Sequence, residues 1–202
     1  MSDTKKASEI LAKTVRIITV PPILVTLLII ILSDRRSDIF TNVTESIISI
    51  LLLGIVPVLA YPIQSLLSKL KISKLTAREG QRKLAFILSL TGYLAALIFG
   101  ICAHVKIRLM LIYLTYFLSV LVLTIFNKIF KIRASGHACS VTGPMVFMIY
   151  FISWKAIFPC ILLAALIVWS SLLLKRHTAR DLAFGAFTCL IAFAVSFICL
   201  ML

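Results

Sequence analysis

LAFGAFTCLIAFAVSFICLML, residues 182–202, runs 21 positions without a charge, and its length decides how the rest of the chain is read. A helix rises about 1.5 Å per residue, so this run matches the roughly 30 Å hydrocarbon core of a bilayer. Further apolar runs cover 17–32, 43–63, 84–103, 109–126, 138–154 and 156–174, giving seven candidate spans. None alternates with period two as barrel strands do, and only helices or closed barrels satisfy the backbone in lipid. The expectation is an all-α, polytopic integral membrane helix bundle of six to seven transmembrane helices, one membrane domain over residues 1–202. Pro21-Pro22 removes helix donors from the first run and predicts a kinked or interfacial segment there.

Composition points the same way, with 61% hydrophobic residues and a mean hydropathy of +1.12. Cys102, Cys139, Cys160, Cys189 and Cys199 include no C-x-x-C pair, which supports neither a disulfide framework nor a zinc site. The polar N-terminus shows no small-residue cleavage signal after a short apolar core, so no removable leader is expected. The formal net charge of +14 is spread among short loops, with no aromatic-interleaved platform, which argues against nucleic acid as a partner. On the seven-span reading, Lys and Arg divide 16 against five, and the positive-inside rule places the richer side in the cytoplasm. If the first run does not cross, the division falls to 12 against nine.

On that reading, loops 64–83, 127–137 and 175–181 emerge on one face, and each leads into a span. Three helix N-termini, with unpaired N–H groups and positive dipole ends, would then gather where a phosphate is the natural guest. The reactive side chains lie in the same loops: Ser135-Gly136-His137, and His177-Thr178-Ala179-Arg180-Asp181. Asp181 is the only acidic residue after Glu79 and stands four positions from His177, on one helical face with it. A carboxylate bonded to one imidazole nitrogen fixes the tautomer and leaves the other free to attack, while a second histidine suits acid–base work. Lys74, Arg78 and Arg82 recur at four-residue spacing, a cationic stripe fit either to clamp a phosphate or to lie on anionic headgroups. His104 reads as an interfacial residue, and Trp154 beside Lys155 as part of an interface belt.

Together these residues resemble the three-part signature of the type 2 phosphatidic acid phosphatase (lipid phosphate phosphatase) superfamily. Its parts are Lys, six spacers, Arg-Pro; then Pro-Ser-Gly-His; then Ser-Arg, five spacers, His, three spacers, Asp. Lys71, six spacers and Arg78 match the first part with Glu79 in place of proline, and Arg82-Lys83 is a competing match. Ala134-Ser135-Gly136-His137 matches the second, with proline replaced. Ser170-Ser171, then His177 and Asp181, keep the spacing of the third, with serine in place of arginine. The phosphatase-like signature extends over 71–185, its end marked by Gly185 in the last apolar run.

The resemblance implies a metal-independent enzyme without cofactor that hydrolyses a lipid phosphate or polyprenyl pyrophosphate drawn from the bilayer. It implies His177 as nucleophile through a phosphohistidine, Asp181 as the group that orients it, and His137 as the acid that protonates the leaving oxygen. Arg78, Arg82, Lys71, Lys74, Ser135, Gly136 and Arg176 are the expected phosphate-binding set, with Arg176 or Arg180 standing in for the missing arginine. Phosphatidic acid, phosphatidylglycerol phosphate and polyprenyl pyrophosphates are candidate substrates. Two other readings stand beside it: a degenerate member that binds phospholipid headgroups without turnover, and a small transporter or scaffold using His177 and Asp181 as a proton relay.

Overall fold

The computed structural model describes residues 3–70 and 76–202, with the backbone alone described at 3–5, 77 and 78. The described residues form helices α1 (Asp3–Ile18), α2 (Pro21–Arg35), α3 (Val43–Lys69), α4 (Ala77–Cys102), α5 (Ile107–Ile129), α6 (Gly136–Phe151), α7 (Trp154–Leu173) and α8 (Ala179–Met201). No strand occurs among them. The protein is an all-α helical membrane bundle. Helices α3, α5, α7, α8 and the Glu79–Cys102 part of α4 are long and apolar enough to cross a membrane. A sixth span results if α1 and α2, bent by 51° at their junction, count as one.

The bend has a local cause. Pro21 and Pro22 occupy the first turn of α2, and the residue before a proline is driven out of the helical region, as Val20 is at φ −61°, ψ 138°. The other departure from expectation is α6, whose 16 residues extend about 24 Å. The apolar run 138–154 ends early because Ser153 turns extended and its hydroxyl accepts from the Lys155 amide at 3.2 Å, starting the next helix.

Helices α2 to α8 run alternately between two ends of the bundle. At one end Arg36 donates to the Phe151 carbonyl, Arg36 and Arg108 both pair with Asp38, and Lys106 Nζ reaches the Phe40 carbonyl at 3.0 Å. These contacts tie the α2–α3 loop to the end of α6 and the start of α5. The core lies between the ends, in one cluster that gathers Leu109, Ile112, Tyr113 and Tyr116 of α5 with Leu28 and Ile29 of α2 and Phe147 of α6. Because lipid is as apolar as leucine, close fit holds such helices together more than water exclusion does. Tyr116 lies against both Tyr93 and Phe147, with ring centroids 5.3 and 6.2 Å away, and Ser49 and Tyr113 share a hydrogen bond of 2.7 Å. At the opposite end stand the N-termini of α4, α6 and α8, capped by Thr76, Ser135 and Thr178.

Candidate functional site

Two of those N-termini are joined. The Ser135 amide donates to the Asp181 carbonyl at 2.8 Å, linking the cap of α6 to the first turn of α8. Gly185, one turn further along α8, permits the approach: a Cβ there would run into the Ser135 carbonyl and lie 3.0 Å from the Ala138 Cβ. Ser135 itself is buried, and its hydroxyl accepts from the Ala138 amide at 3.3 Å. The loop before it is pinned by Asn127, whose side chain donates to the Ala134 carbonyl at 3.3 Å and accepts from the Ala134 amide at 3.2 Å. His137 thus sits in the first turn of a helix held on both sides.

His177 is held just as closely. Helix α7 closes with Lys175 in the left-handed region at φ 49°, and the Arg176 amide reaches back to the Ser171 carbonyl at 3.0 Å. Two residues later Thr178 caps α8 in a reciprocal box: its hydroxyl accepts from the Asp181 amide at 3.1 Å, and Asp181 Oδ2 accepts from the Thr178 amide at 3.1 Å. His177 is therefore suspended between a helix end and a helix start. Its Nδ1 faces Asp181 Oδ2 at 3.7 Å, an ion-pair distance longer than a hydrogen bond, and Arg133 Nε lies 3.4 Å from the same oxygen. His137 Nε2 and His177 Nδ1 are buried with no hydrogen-bond partner.

The surrounding field is positive. Burial and the charges of Arg16 and then His177 push His137 down to about 4. Burial, then Arg16, hold His177 below the usual histidine value, Arg133 and Arg82 add to this, and only Asp181 opposes it. Both rings are consequently neutral at pH 7. The unfolded chain binds these protons from about pH 6.5 downward while the folded one resists them, so stability falls as pH drops through that window. One unit of depression is worth about 1.4 kcal/mol, so the pull on His137 from 6.5 to about 4 corresponds to at most roughly 3 kcal/mol. The unfolding temperature in detergent is expected to decline between pH 6.5 and 4, with a shallower decline in His137→Gln. Parallel curves for the two proteins would rule His137 out as the cause.

Arg133, Lys175, Arg176, His177, Thr178 and Asp181 line a cleft of about 450 Å³. Arg176 is exposed on its rim, whereas Arg180 lies over the Phe184 ring, 5.5 Å from its centroid. Arg82 is exposed, near enough for its charge to act on His177. Gly136 opens α6 with its amide among the unpaired first-turn donors. Lys71 and Lys74 lie outside the described residues, as does the Arg78 side chain. Ser171 is fully buried, its hydroxyl without a hydrogen-bond partner. A wider cleft of about 700 Å³ at the other end holds Asp34, Arg35 and Arg36 but no histidine.

Three residues join the site that the motif reading left out. Asn127 is a positioning residue, and Arg133 holds the one carboxylate. Arg16, from α1, acts on both histidines. Arg133 was legible as a loop cation able to bind a ligand but not as a partner of Asp181, and the inward place of Arg16 depends on how α1 packs. No family model, curated protein or solved structure matches this chain, so the resemblance to the lipid phosphate phosphatases rests on the sequence motifs alone.

Proposed function

We propose that the protein is a membrane-embedded phosphatase that removes phosphate from a lipid phosphate or polyprenyl pyrophosphate. One observation carries the reading: two half-buried histidines stand at joined helix N-termini, and the charges of Arg16, Arg82 and Arg133 reach His177 against a single carboxylate, Asp181. Such an excess of positive charge at a membrane boundary is balanced by a polyanion. With Nδ1 turned to Asp181, the other nitrogen of His177 attacks phosphorus and the bond to the lipid oxygen breaks. His137 gives that oxygen its proton, then takes one from the water that hydrolyses the phosphohistidine. A phosphate dianion beside His137 restores the basicity that burial removes, so the acid acquires its proton along with its substrate. The arginines and first-turn amides stabilise the equatorial oxygens.

The reading is tested by phosphate release from purified protein in detergent against phosphatidic acid, phosphatidylglycerol phosphate and a polyprenyl pyrophosphate. Turnover of at least one is expected, and it is expected to persist in excess EDTA. Among the described residues no group of three or more His, Cys, Asp and Glu side chains is placed to hold a metal. Loss of activity in chelator that Mg²⁺ or Zn²⁺ restores would overturn the mechanism. A second reading, headgroup binding without turnover, is favoured by Ser171 and by the 3.7 Å His177–Asp181 separation. Under it, the screen returns no phosphate from any lipid.

A further inference from the structure

The third signature part loses its arginine at Ser171, and neither flanking candidate occupies the interior: Arg180 lies on Phe184 and Arg176 is exposed on the rim. The interior is reached from elsewhere. Helix α1 packs along α7, the helix that carries Ser171. Its outward face is apolar, with Ile10, Leu11, Ile17 and Ile18 exposed where lipid would cover them. Its inward face is marked by Ala12, at 0% exposure, and by Thr19 just past the helix end, at 3%. Positions 12, 16 and 19 follow the i, i+4, i+7 spacing of one helical face, so Arg16 belongs to the inward one. Its Nη1 is closed off from solvent.

An amphipathic interfacial helix ordinarily turns its cations to water and headgroups. Here one arginine turns inward, toward two histidines whose ring nitrogens are buried without partners, and toward the helix whose Ser171 hydroxyl is equally unsatisfied. We propose that Arg16, delivered by α1, is the guanidinium that binds a phosphoryl oxygen in place of the arginine missing at position 171. The inference rests on the phosphate-site reading above and gives the N-terminal helix a role in it. A guanidinium presents paired N–H donors to two oxygens of one phosphate, which a lysine at the same place cannot do.

The test uses the full chain in detergent with orthovanadate as probe, its affinity read from the rise of the unfolding temperature with concentration. Arg16→Ala is expected to weaken vanadate binding by about tenfold or more, and Arg16→Lys by less. Arg16→Ala/Ser171→Arg is expected to recover most of the loss, because the second change returns a guanidinium from the other helix. Equal affinity in wild type and Arg16→Ala overturns the inference and leaves the phosphatase reading standing. A loss that Ser171→Arg does not relieve, with Arg16→Lys folded and binding like wild type, also overturns it, since a structural arginine behaves that way. Absence of vanadate binding in wild type overturns both. Arg16-dependent binding in a protein that releases phosphate from no lipid supports this inference alone.

Discussion

Rapid quench of the His177→Ala protein with labelled lipid phosphate is expected to trap no phosphoenzyme, with turnover falling by about three orders of magnitude or more. No other nucleophile is proposed for the transfer. His137→Ala should behave differently, because it removes a proton donor and leaves the attacking group in place. A nitrophenyl phosphate, whose leaving group needs little protonation, is expected to restore phosphoenzyme formation in part to the His137 variant and not to the His177 variant. Label trapped on the His177→Ala protein would refute the assignment. So would an identical response of the two variants to leaving-group ability.

Gly185→Ala carries the second large effect, on stability. The added methyl has nowhere to go, since it meets the Ser135 carbonyl and Ala138, and backbone cannot rotate aside as a flexible side chain can. Overpacking of this kind costs about 1–3 kcal/mol, and here the displaced atoms belong to the cap of α6. The unfolding temperature is expected to fall by several degrees, with loss of activity beyond that. Gly136→Ala is the comparison: a Cβ there meets only Leu123 Cδ2 at 3.6 Å, ordinary contact, so its stability should stay close to wild type. Equal destabilisation by the two changes would show that the helix approach does not depend on the bare Gly185.

Much of this arrangement was legible before any coordinates. Uncharged runs as long as 182–202 announce helices in lipid, and alternating spans bring the loops before His137 and after Leu173 to one end, where the Ser135 amide meets the Asp181 carbonyl. The caps of α6 and α8, Ser135 and Thr178, were not read from the sequence; each shows only in the backbone amide it accepts three residues on. Hydropathy could not see that Ser153 ends α6 early, because Ile152 and Trp154 on either side are apolar. Nor could it place Arg16: an arginine ahead of an apolar run looks like an anchor, and only the break at Val20 and the packing of α1 on α7 turn it inward. Asn127 escaped for a similar reason, its two bonds to Ala134 depending on a loop reversal through Lys131 at φ 54°.

The link from Ser135 to Asp181, with Gly185 beneath it, has a mechanical meaning as well as a positional one. The starts of α6 and α8 form a single stiff piece, so thermal jostling carries His137 and His177 together and leaves their separation nearly constant. Group transfer demands partners within roughly 3–3.5 Å in a narrow range of angles, and the width of that distribution sets how often a collision is productive. Helix α1, set off from α2 by the proline break and a 51° bend, lies outside that piece. The joined helix starts make a floor whose geometry does not depend on how α1 is seated.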